Sequence, residues 1–399
     1  MNSRRTAAFV VARWIATHEF PNELLPKGGP DRAFVQDLVY TTVRRFRPLR
    51  AVLGELMKTW PKGELEALVL VGAAQILYMP EVPDFAAVNE TVAAAKLGDR
   101  GKRLDRVVNG VLRNLLRRRA EFEAKLAAAP LAERESYPNA LVSRWTARYG
   151  AEGAEKLARW HNTPAETWIA RKGSFEKLPR GEKVADQPGF EEGDFIVQDP
   201  ATAGAVDLLD VSTGRMLVDP GGGLSVLDFC AAPGGKTVQI AWRLREGDVV
   251  AQEVNPKRLA RLKENLARMQ LDNVTAVQKV EDGARFDRVL VDAPCSNTGV
   301  IRRRPDARWR WNADHLAQLV SLQKDILEAA SAHVKPGGRL VYSTCSNEPE
   351  ENAEQIAAFL AAHPDFTEVG RYESVPFETD HDGAFACALV RSDLSGETT

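Results

Sequence analysis

The sequence predicts a protein of the α/β class, with an all-α N-terminal domain followed by a doubly wound α/β domain. Two observations predict this fold. Apolar residues in the first 125 positions recur at helical spacing, and no strand pattern interrupts them. After residue 222, short apolar runs such as "LSVLDFC" and "FDRVLVDAPC" alternate with amphipathic stretches such as "PKRLARLKENLARMQ". This alternation is typical of a parallel sheet with helices on both faces.

Three segments follow from these patterns. The helical segment spans residues 1–125, with breaks at "PKGGP", "PKG" and "PEVP". A linker subdomain spans residues 126–215; it begins with a helical stretch, and "TWIARK" and "DFIVQD" then predict short strands around a polar loop. The α/β domain, which we expect to be catalytic, spans residues 216–399.

The composition is ordinary for a globular protein, with 44% hydrophobic and 27% charged residues. No run of 18 apolar residues is present, so we expect no membrane span. Four cysteines in 399 residues do not make a disulfide framework, which favours a reducing, cytoplasmic location. The net charge is −2, but residues 100–119 hold eight basic residues against one acidic residue. Local basic patches of this kind favour phosphate contacts, although a solvated helix face is the alternative.

The stretch "VLDFCAAPGGKT" predicts a strand, a glycine-bearing turn and the start of a helix. It lacks both the G-x-G-x-x-G and the G-x-x-x-x-G-K-[ST] patterns, which disfavours a dinucleotide or a triphosphate. Glu253 ends the next strand, where a carboxylate can accept both ribose hydroxyls. Asp282 and Asp292 follow the next two strands, and Asp282 can contact an adenine edge. Together these features predict an adenosine-containing cofactor without a triphosphate, namely S-adenosyl-L-methionine; a plain structural turn is the alternative.

Three of the four cysteines, Cys230, Cys295 and Cys345, lie at the carboxyl ends of predicted strands, where such sheets bind ligands. Carbon 5 of cytosine is a poor nucleophile until a thiolate adds to carbon 6, and a cysteine suits this covalent step. Asp292 is placed to offset the charge that develops at ring nitrogen 3. A second cysteine would assist expulsion of the first. The alternative is that these cysteines are small buried hydrophobes.

The motifs "DFCAAPGGKT", "FDRVLVDAPCSNTGVIRRRPDARW" and "LVYSTCSNEPEENAEQI" resemble those of the Sun/RsmB-type RNA 5-methylcytosine methyltransferases. The N-terminal segment resembles the NusB-like RNA-binding domain that these enzymes carry. The resemblance covers nearly the whole chain. It implies a Rossmann-like methyltransferase domain that uses S-adenosyl-L-methionine and acts on 16S ribosomal RNA of the small subunit.

The resemblance also implies roles for individual residues. Cys345 would be the nucleophile, Cys295 would help to release the product, and Asp292 would complete the catalytic set. The adenine contact falls to Asp282 or Glu281. The residues implied to line the cofactor are Cys230, Ala231, Ala232, Pro233, Gly234, Gly235, Lys236, Glu253, Asp282 and Asp292.

The loop after Cys295 predicts RNA contacts. Arg302, Arg303 and Arg304 would bind phosphates, and Trp309 or Trp311 would stack on an unpaired base. The alternative is a set of surface arginines with core tryptophans. Because carbon 6 must be reached from above the ring, we expect a single-stranded or flipped-out cytosine. We expect a monomer that needs no metal.

Two rival hypotheses remain open. In the first, the cofactor is the same but the substrate is transfer RNA, another RNA or DNA. In DNA cytosine enzymes the nucleophile is the cysteine after proline, here Cys295. Otherwise the chain would be a non-catalytic RNA-binding assembly factor, but such a protein has no need of Asp292, Cys295 and Cys345.

Overall fold

The computed structural model describes residues 2–97, 104–212 and 223–393. By internal contacts the chain divides into two units, the first comprising Met1–Thr163 and Arg304–Asn312 and the second comprising Pro164–Arg303 and Ala313–Thr399. The division into three segments stays a prediction. Its boundary between residues 215 and 216 lies outside the described residues, as does most of the polar C-terminal stretch that we expect to be disordered.

The first unit is helical, as the sequence predicts. Its helices are α1 (Ser3–Thr17), α2 (Pro21–Leu24), α3 (Arg32–Arg44), α4 (Phe46–Leu56), α5 (Glu64–Tyr78), α6 (Asp84–Lys96), α7 (Leu104–Arg117), α8 (Arg119–Ala128), α9 (Leu131–Arg134) and α10 (Asn139–Trp160). Helix α5 is apolar on almost every side and lies in the core, as expected for such a sequence. Gly72 of α5 faces Leu112 of α7, and a Cβ at Gly72 would lie 2.5 Å from a Leu112 methyl group. The two helices therefore pack closely because this position has no side chain.

A short helix from the later part of the chain, α14 (Ala307–Arg310), belongs to the helical unit. The Arg308 side chain is fully buried and donates to the Ser136 carbonyl at 3.1 Å and to Asn162 Oδ1 at 3.0 Å. Trp309 Nε1 donates to the Val43 carbonyl at 2.9 Å. These contacts make α14 part of the helical core.

The second unit contains a small antiparallel sheet with strand order β2-β1-β3. Strands β1 (Thr167–Arg171) and β3 (Phe195–Val197) confirm the two short strands that the sequence predicts. Strand β2 (Ser174–Leu178) lies where we expected a polar loop, so that part of the prediction is wrong. A two-residue turn with Gly173 at φ +87° folds β2 back onto β1.

The main sheet has the strand order β6-β5-β4-β7-β8-β10-β9. The neighbours from β6 to β8 pair in parallel, whereas β10 pairs antiparallel with both β8 and β9. The strands are β4 (Leu224–Asp228), β5 (Gly247–Gln252), β6 (Val274–Val277), β7 (Phe286–Asp292), β8 (Val334–Thr344), β9 (Phe366–Ser374) and β10 (Ala384–Arg391). The helices of this unit are α11 (Ala203–Leu209), α12 (Gly235–Arg243), α13 (Pro256–Arg268), α15 (Ala313–Ser331), α16 (Ala353–Ala362) and α17 (Pro376–Thr379). The predicted doubly wound sheet is therefore confirmed.

The strand order reverses at β4, which lies between β5 and β7. In open parallel sheets the crevice outside the carboxyl ends of the strands at such a reversal binds the ligand. The loops after β4, β7 and β8 therefore share one edge of the sheet. In the described part of the chain, no helix is long and apolar enough to cross a bilayer.

Candidate active site

The turn from β4 to α12 is held by main-chain hydrogen bonds. Ala231 N donates to the Gln252 carbonyl at 2.9 Å, and Gly234 N donates to the Ala231 carbonyl at 2.7 Å. Gly234 has φ +107°, and a Cβ there would lie 2.8 Å from a Leu262 methyl group. Glycine is required at this position because residues that carry a side chain rarely adopt this backbone conformation. The structure thus brings the predicted residues Cys230, Ala231, Ala232, Pro233, Gly234, Gly235 and Lys236 into one compact loop.

Lys236, in the first turn of α12, forms an ion pair with Asp292 at the end of β7. The Nζ–Oδ2 distance is 2.6 Å. Burial by itself would lower the pKa of Lys236, but the charge and the hydrogen bond of Asp292 more than offset it and raise that pKa. Ser343 Oγ on β8 donates to the other Asp292 oxygen at 3.0 Å. Helix α12 and strand β8 thus fix the orientation of the Asp292 carboxyl at the end of β7.

Asp228 lies beneath this ion pair, at the end of β4. Its carboxyl is buried and accepts a hydrogen bond from Thr237 Oγ1 at 2.7 Å. Burial raises the pKa of Asp228 to about 7, with a further contribution from the charge of Asp292. Burial and the surrounding carboxylates also raise the pKa of Cys230 to about 12. The Cys230 thiol is therefore protonated at neutral pH and lines the loop without acting as a nucleophile.

The two cysteines singled out by the sequence, Cys295 and Cys345, lie next to each other. Their Sγ atoms are 3.2 Å apart, and both thiols are free. Cys345 Sγ also donates to Asn297 Oδ1 at 3.3 Å, while Asn297 Nδ2 donates to the Cys295 carbonyl at 2.8 Å. A pair of thiols in contact can divide attack and proton transfer between them.

The two thiols have different surroundings. The hydrogen bond with Cys345 raises the pKa of Cys295 well above its ordinary value, and burial and the Cys345 charge raise it further. Cys345 is partly exposed, whereas Cys295 is buried. Cys345 is therefore the more accessible of the two sulfur atoms.

A cavity of about 40 Å³ opens beside Cys345. Lys236, Ser343, Tyr372 and Asp382 also contribute to its wall. It brings the Cys345 thiol, the Lys236 ammonium and the Asp382 carboxyl around one small space, which is a set of groups that a thiol-assisted reaction can use.

Glu253 and Asp282 occupy different surroundings. Glu253 is buried at the end of β5, where its Oε1 accepts from Asn255 N at 2.8 Å and pairs with Arg258 at 3.0 Å. Asp282 is exposed after β6 and pairs with Lys279 at 2.8 Å. Glu281 is also exposed. The choice between Asp282 and Glu281 for the adenine contact stays a prediction.

Of the residues predicted to contact RNA, Arg302, Arg303 and Trp309 already make side-chain contacts within the protein. Arg302 donates to the Pro164 carbonyl at 2.8 Å, and Arg303 forms ion pairs with two carboxylates. Trp309 is bound in the helical unit, and Arg304 is exposed. The RNA contact of Arg302, Arg303, Arg304 and Trp309 stays a prediction, and Arg304 is the most accessible of them.

Sequence reasoning did not identify Glu351, a fully buried carboxylate between the two cysteine loops. It accepts from Ser296 N at 2.8 Å and from Ser296 Oγ at 2.5 Å, and it also accepts from Ser346 Oγ. A signal was present, because the tripeptide Cys-Ser-Asn occurs twice, at 295–297 and at 345–347. The repeat places a serine directly after each cysteine.

Comparisons with known proteins show the family to which the chain belongs. A family model described as 16S rRNA methyltransferase RsmB/F matches residues 215–382. Ribosomal RNA small subunit methyltransferase B of Serratia proteamaculans (strain 568) is 34% identical over 437 residues, covering 98% of this chain and 99% of that protein. The chain belongs to the RsmB/F family. The protein of the same name from Yersinia pseudotuberculosis (serotype O:1b, strain IP 31758) is also 34% identical, over 440 residues.

This RsmB/F-family chain also matches the NusB family model over residues 1–117, which confirms the NusB-like N-terminal domain. The crystal structure of PH0851 has a TM-score of 0.76 at 23% identity, covering 98% of this chain and 99% of that one. A methyltransferase homolog protein from Pyrococcus horikoshii covers 65% of this chain and 97% of its own, with a TM-score of 0.55 at 24% identity. These two likenesses concern the fold, and the Rossmann-like methyltransferase fold is confirmed.

Proposed function

We propose that this chain transfers a methyl group from S-adenosyl-L-methionine to carbon 5 of a cytosine in 16S ribosomal RNA through a covalent adduct with Cys345. The contact between Cys295 and Cys345, beside the Lys236–Asp292 ion pair, carries the proposal. Methylation of a cytosine at carbon 5 needs a thiol to activate the ring, an acid and a route for proton loss. The curated relatives are named as small-subunit ribosomal RNA methyltransferases, which supports this RNA as the substrate. That substrate also supports a cytoplasmic location.

The residues present fit the cofactor. The glycine loop offers main chain without side-chain obstruction, and Lys236 and Asp292 lie at its end. Among the described residues, Asn255 N and Arg258 contact Glu253 at Oε1, so Oε2 is the oxygen that would accept a ribose hydroxyl. Cys230 to Lys236 would hold the cofactor from one side, and Asp292 from the other. When bound, the cofactor supplies an electrophilic methyl group.

The first step activates the base. The Cys345 thiolate forms a bond from Sγ to carbon 6 of the cytosine, and the displaced electron pair makes carbon 5 nucleophilic. The proton that Cys345 loses passes to ring nitrogen 3, and the Asp292 carboxylate, held by Lys236 and Ser343, accepts the hydrogen bond of the resulting N–H and stabilises the adduct. Carbon 5 then takes the methyl group.

The second step releases the product. The hydrogen bond with Cys345 contributes most to raising the pKa of Cys295, followed by burial and then by the charge of Cys345. Both are lost when Cys345 Sγ becomes a thioether, so the pKa of Cys295 falls after attack. Having lost its proton to solvent, Cys295 accepts the proton on carbon 5; the Sγ–carbon 6 bond then breaks and its electron pair returns to Cys345. The base is therefore generated at the stage that requires it.

The test is a denaturing gel of wild type, Cys295→Ala and Cys345→Ala, each incubated with 16S ribosomal RNA and S-adenosyl-L-methionine. We expect Cys295→Ala to run as a slow, RNase-sensitive adduct because attack still occurs and release is blocked. We expect no adduct with Cys345→Ala.

An adduct with Cys345→Ala instead would reverse the two roles and support the mechanism of DNA cytosine enzymes. If wild type methylates this RNA but neither variant traps it, the covalent mechanism is wrong. Parallel reactions with transfer RNA test the substrate class. A wild type that binds RNA but neither binds the cofactor by calorimetry nor transfers a methyl group would support the non-catalytic assembly factor.

A further inference from the structure

Glu351 binds the residues that follow both cysteines. Its Oε1 accepts from Ser296 N at 2.8 Å and from Gln323 Nε2 at 2.9 Å. Its Oε2 accepts from the hydroxyl groups of Ser296 and Ser346. Four donors therefore surround a fully buried side chain, which matches the acceptor capacity of a carboxylate. Such a group is stable in a protein interior only when its hydrogen bonds are complete.

Glu351 and the next residue, Asn352, are both anchored to β8. The Tyr342 hydroxyl donates to the Glu351 carbonyl at 2.8 Å, and Thr344 Oγ1 donates to Asn352 Oδ1 at 2.6 Å. Asn352 Nδ2 donates to the Ser346 carbonyl at 2.8 Å. The main chain at Glu351 is therefore tied to the strand that leads to Cys345.

Glu351 also acts on Cys295 through its charge. The pKa of Cys295 is raised mainly by its hydrogen bond with Cys345, by burial and by the Cys345 charge. The Glu351 carboxylate raises it further. Its effect holds Cys295 as a thiol while Cys345 is free to attack. The hydrogen bonds of Glu351 thus connect the two loops that carry the sulfur atoms, and its charge disfavours ionisation of Cys295.

We propose that Glu351 is a positioning residue that joins the two cysteine loops and makes Cys345, and not Cys295, the attacking sulfur. The assignment rests on the proposed function for its role in catalysis. The difference in reactivity between the Cys295 and Cys345 thiols is a property of the free protein, and it can be measured without RNA or cofactor.

The experiment compares alkylation of Cys295 and Cys345 by iodoacetamide, followed by mass spectrometry of the two peptides between pH 6 and 10. In wild type we expect Cys345 to react at least about tenfold faster than Cys295, since the rate follows the thiolate fraction. In Glu351→Gln we expect the ratio to fall and the pH midpoint for Cys295 to move downward, because one of the causes that raise the pKa of Cys295 is removed while its burial and its contact with Cys345 remain.

Asp287→Asn is the matched control. Asp287 is another buried carboxylate of the same unit; it accepts from Ser225 N at 3.0 Å and pairs with Lys335 at 2.9 Å, at the start of β7 and away from the cysteines. We expect it to keep the wild-type ratio and midpoint. An unchanged ratio and midpoint in folded Glu351→Gln would overturn the inference.

Two further variants keep the test decisive if Glu351→Gln fails to fold. Ser296→Ala removes one donor beside Cys295, and Ser346→Ala removes one beside Cys345. Each should change the alkylation of its own neighbouring cysteine more than that of the other, and equal or no changes in both would contradict the inference. If wild type fails to methylate cytosine while the alkylation pattern holds, the proposed function fails and the positioning role stands.

Discussion

Asp292 is the carboxyl group of the proposed catalytic set, and both of its oxygens are held by neighbouring side chains. Lys236 binds one of its oxygens and Ser343 binds the other, at 2.6 and 3.0 Å. We expect Asp292→Asn to lower kcat by about 10²- to 10⁴-fold, the usual contribution of a positioned acid. Tritium transfer from labelled S-adenosyl-L-methionine at saturating concentrations measures this.

Ser343→Ala is the matched control for that prediction, because it removes one hydrogen bond and leaves the carboxyl in place. A loss of about 1 kcal/mol of positioning corresponds to about a fivefold lower kcat. If the two variants lost activity equally, the Asp292 carboxyl would have no chemical role beyond its place in the hydrogen-bond network.

Asp228 makes stability depend on pH in an unusual direction. Burial raises its pKa from 3.8 to about 7, so the folded state binds a proton that the unfolded state releases. This contribution to the free energy of unfolding is fully present below about pH 4, declines as the pH rises to about 7, and is constant above that. Three pKa units correspond to about 4 kcal/mol at most.

We expect Asp228→Asn to lose this part of the pH dependence because the amide cannot ionise. Urea unfolding at pH 5 and pH 8, compared with wild type, measures the change. Asp248→Asn, an exposed aspartate on β5, should keep the wild-type difference. A wild-type pH dependence in Asp228→Asn would show that Asp228 ionises normally in the folded protein.

Residues at strand ends could be chosen from the sequence, because apolar runs end visibly before Cys230, Cys295 and Cys345. The partner of a buried group could not be chosen in this way. Glu351 is one of several acidic residues in "NEPEENAEQ", and only the fold shows that it turns inward to two serines 55 and 5 residues away. Similarly, the arginines after Cys295 look alike in sequence, but Arg303 is ion-paired and Arg304 is exposed.

At the scale of elements, α14 shows how a charged segment can be structural. We expect Arg308→Ala to lower the free energy of unfolding by about 3 kcal/mol or more, since carbonyl groups and Asn162 Oδ1 lose a buried donor. Thermal denaturation checks this. Arg304→Ala should change stability by less than about 0.5 kcal/mol, because that side chain is exposed. A similar small effect in Arg308→Ala would contradict its structural role.

The parallel strands β4 to β8 were predictable because each is an apolar run followed by an amphipathic helix. The hairpin of β9 and β10 was not predicted. Strand β9, "FTEVGRYES", lies at the sheet edge with alternating half-exposed residues, so its apolar content is low. Strand β10 is buried, but its antiparallel insertion between β8 and β9 depends on pairing between distant segments.

At the scale of the whole molecule, a net charge of −2 conceals an uneven distribution. On α7, Arg106, Arg113 and Arg117 are exposed, and within the described residues none of them forms an ion pair. On α10, by contrast, Lys156 pairs with Glu152 and Arg159 pairs with Glu155, both at 2.7 Å. The positive charge of α7 is therefore available to phosphates, and that of α10 is already compensated.

We expect the double variant Arg113→Gln/Arg117→Gln to bind ribosomal RNA more weakly and with a less steep dependence on salt. Each phosphate contact contributes about 0.7 to 0.9 to the slope of log K against log salt, so the slope should fall by about 1.5. The effect should appear in KM for RNA, while kcat and the affinity for S-adenosyl-L-methionine stay unchanged, because the reacting groups lie in the other unit. The double variant Lys156→Gln/Arg159→Gln removes the same charge from compensated positions and should bind RNA like wild type. Equal losses in both variants would mean that net charge, and not the α7 face, determines RNA binding.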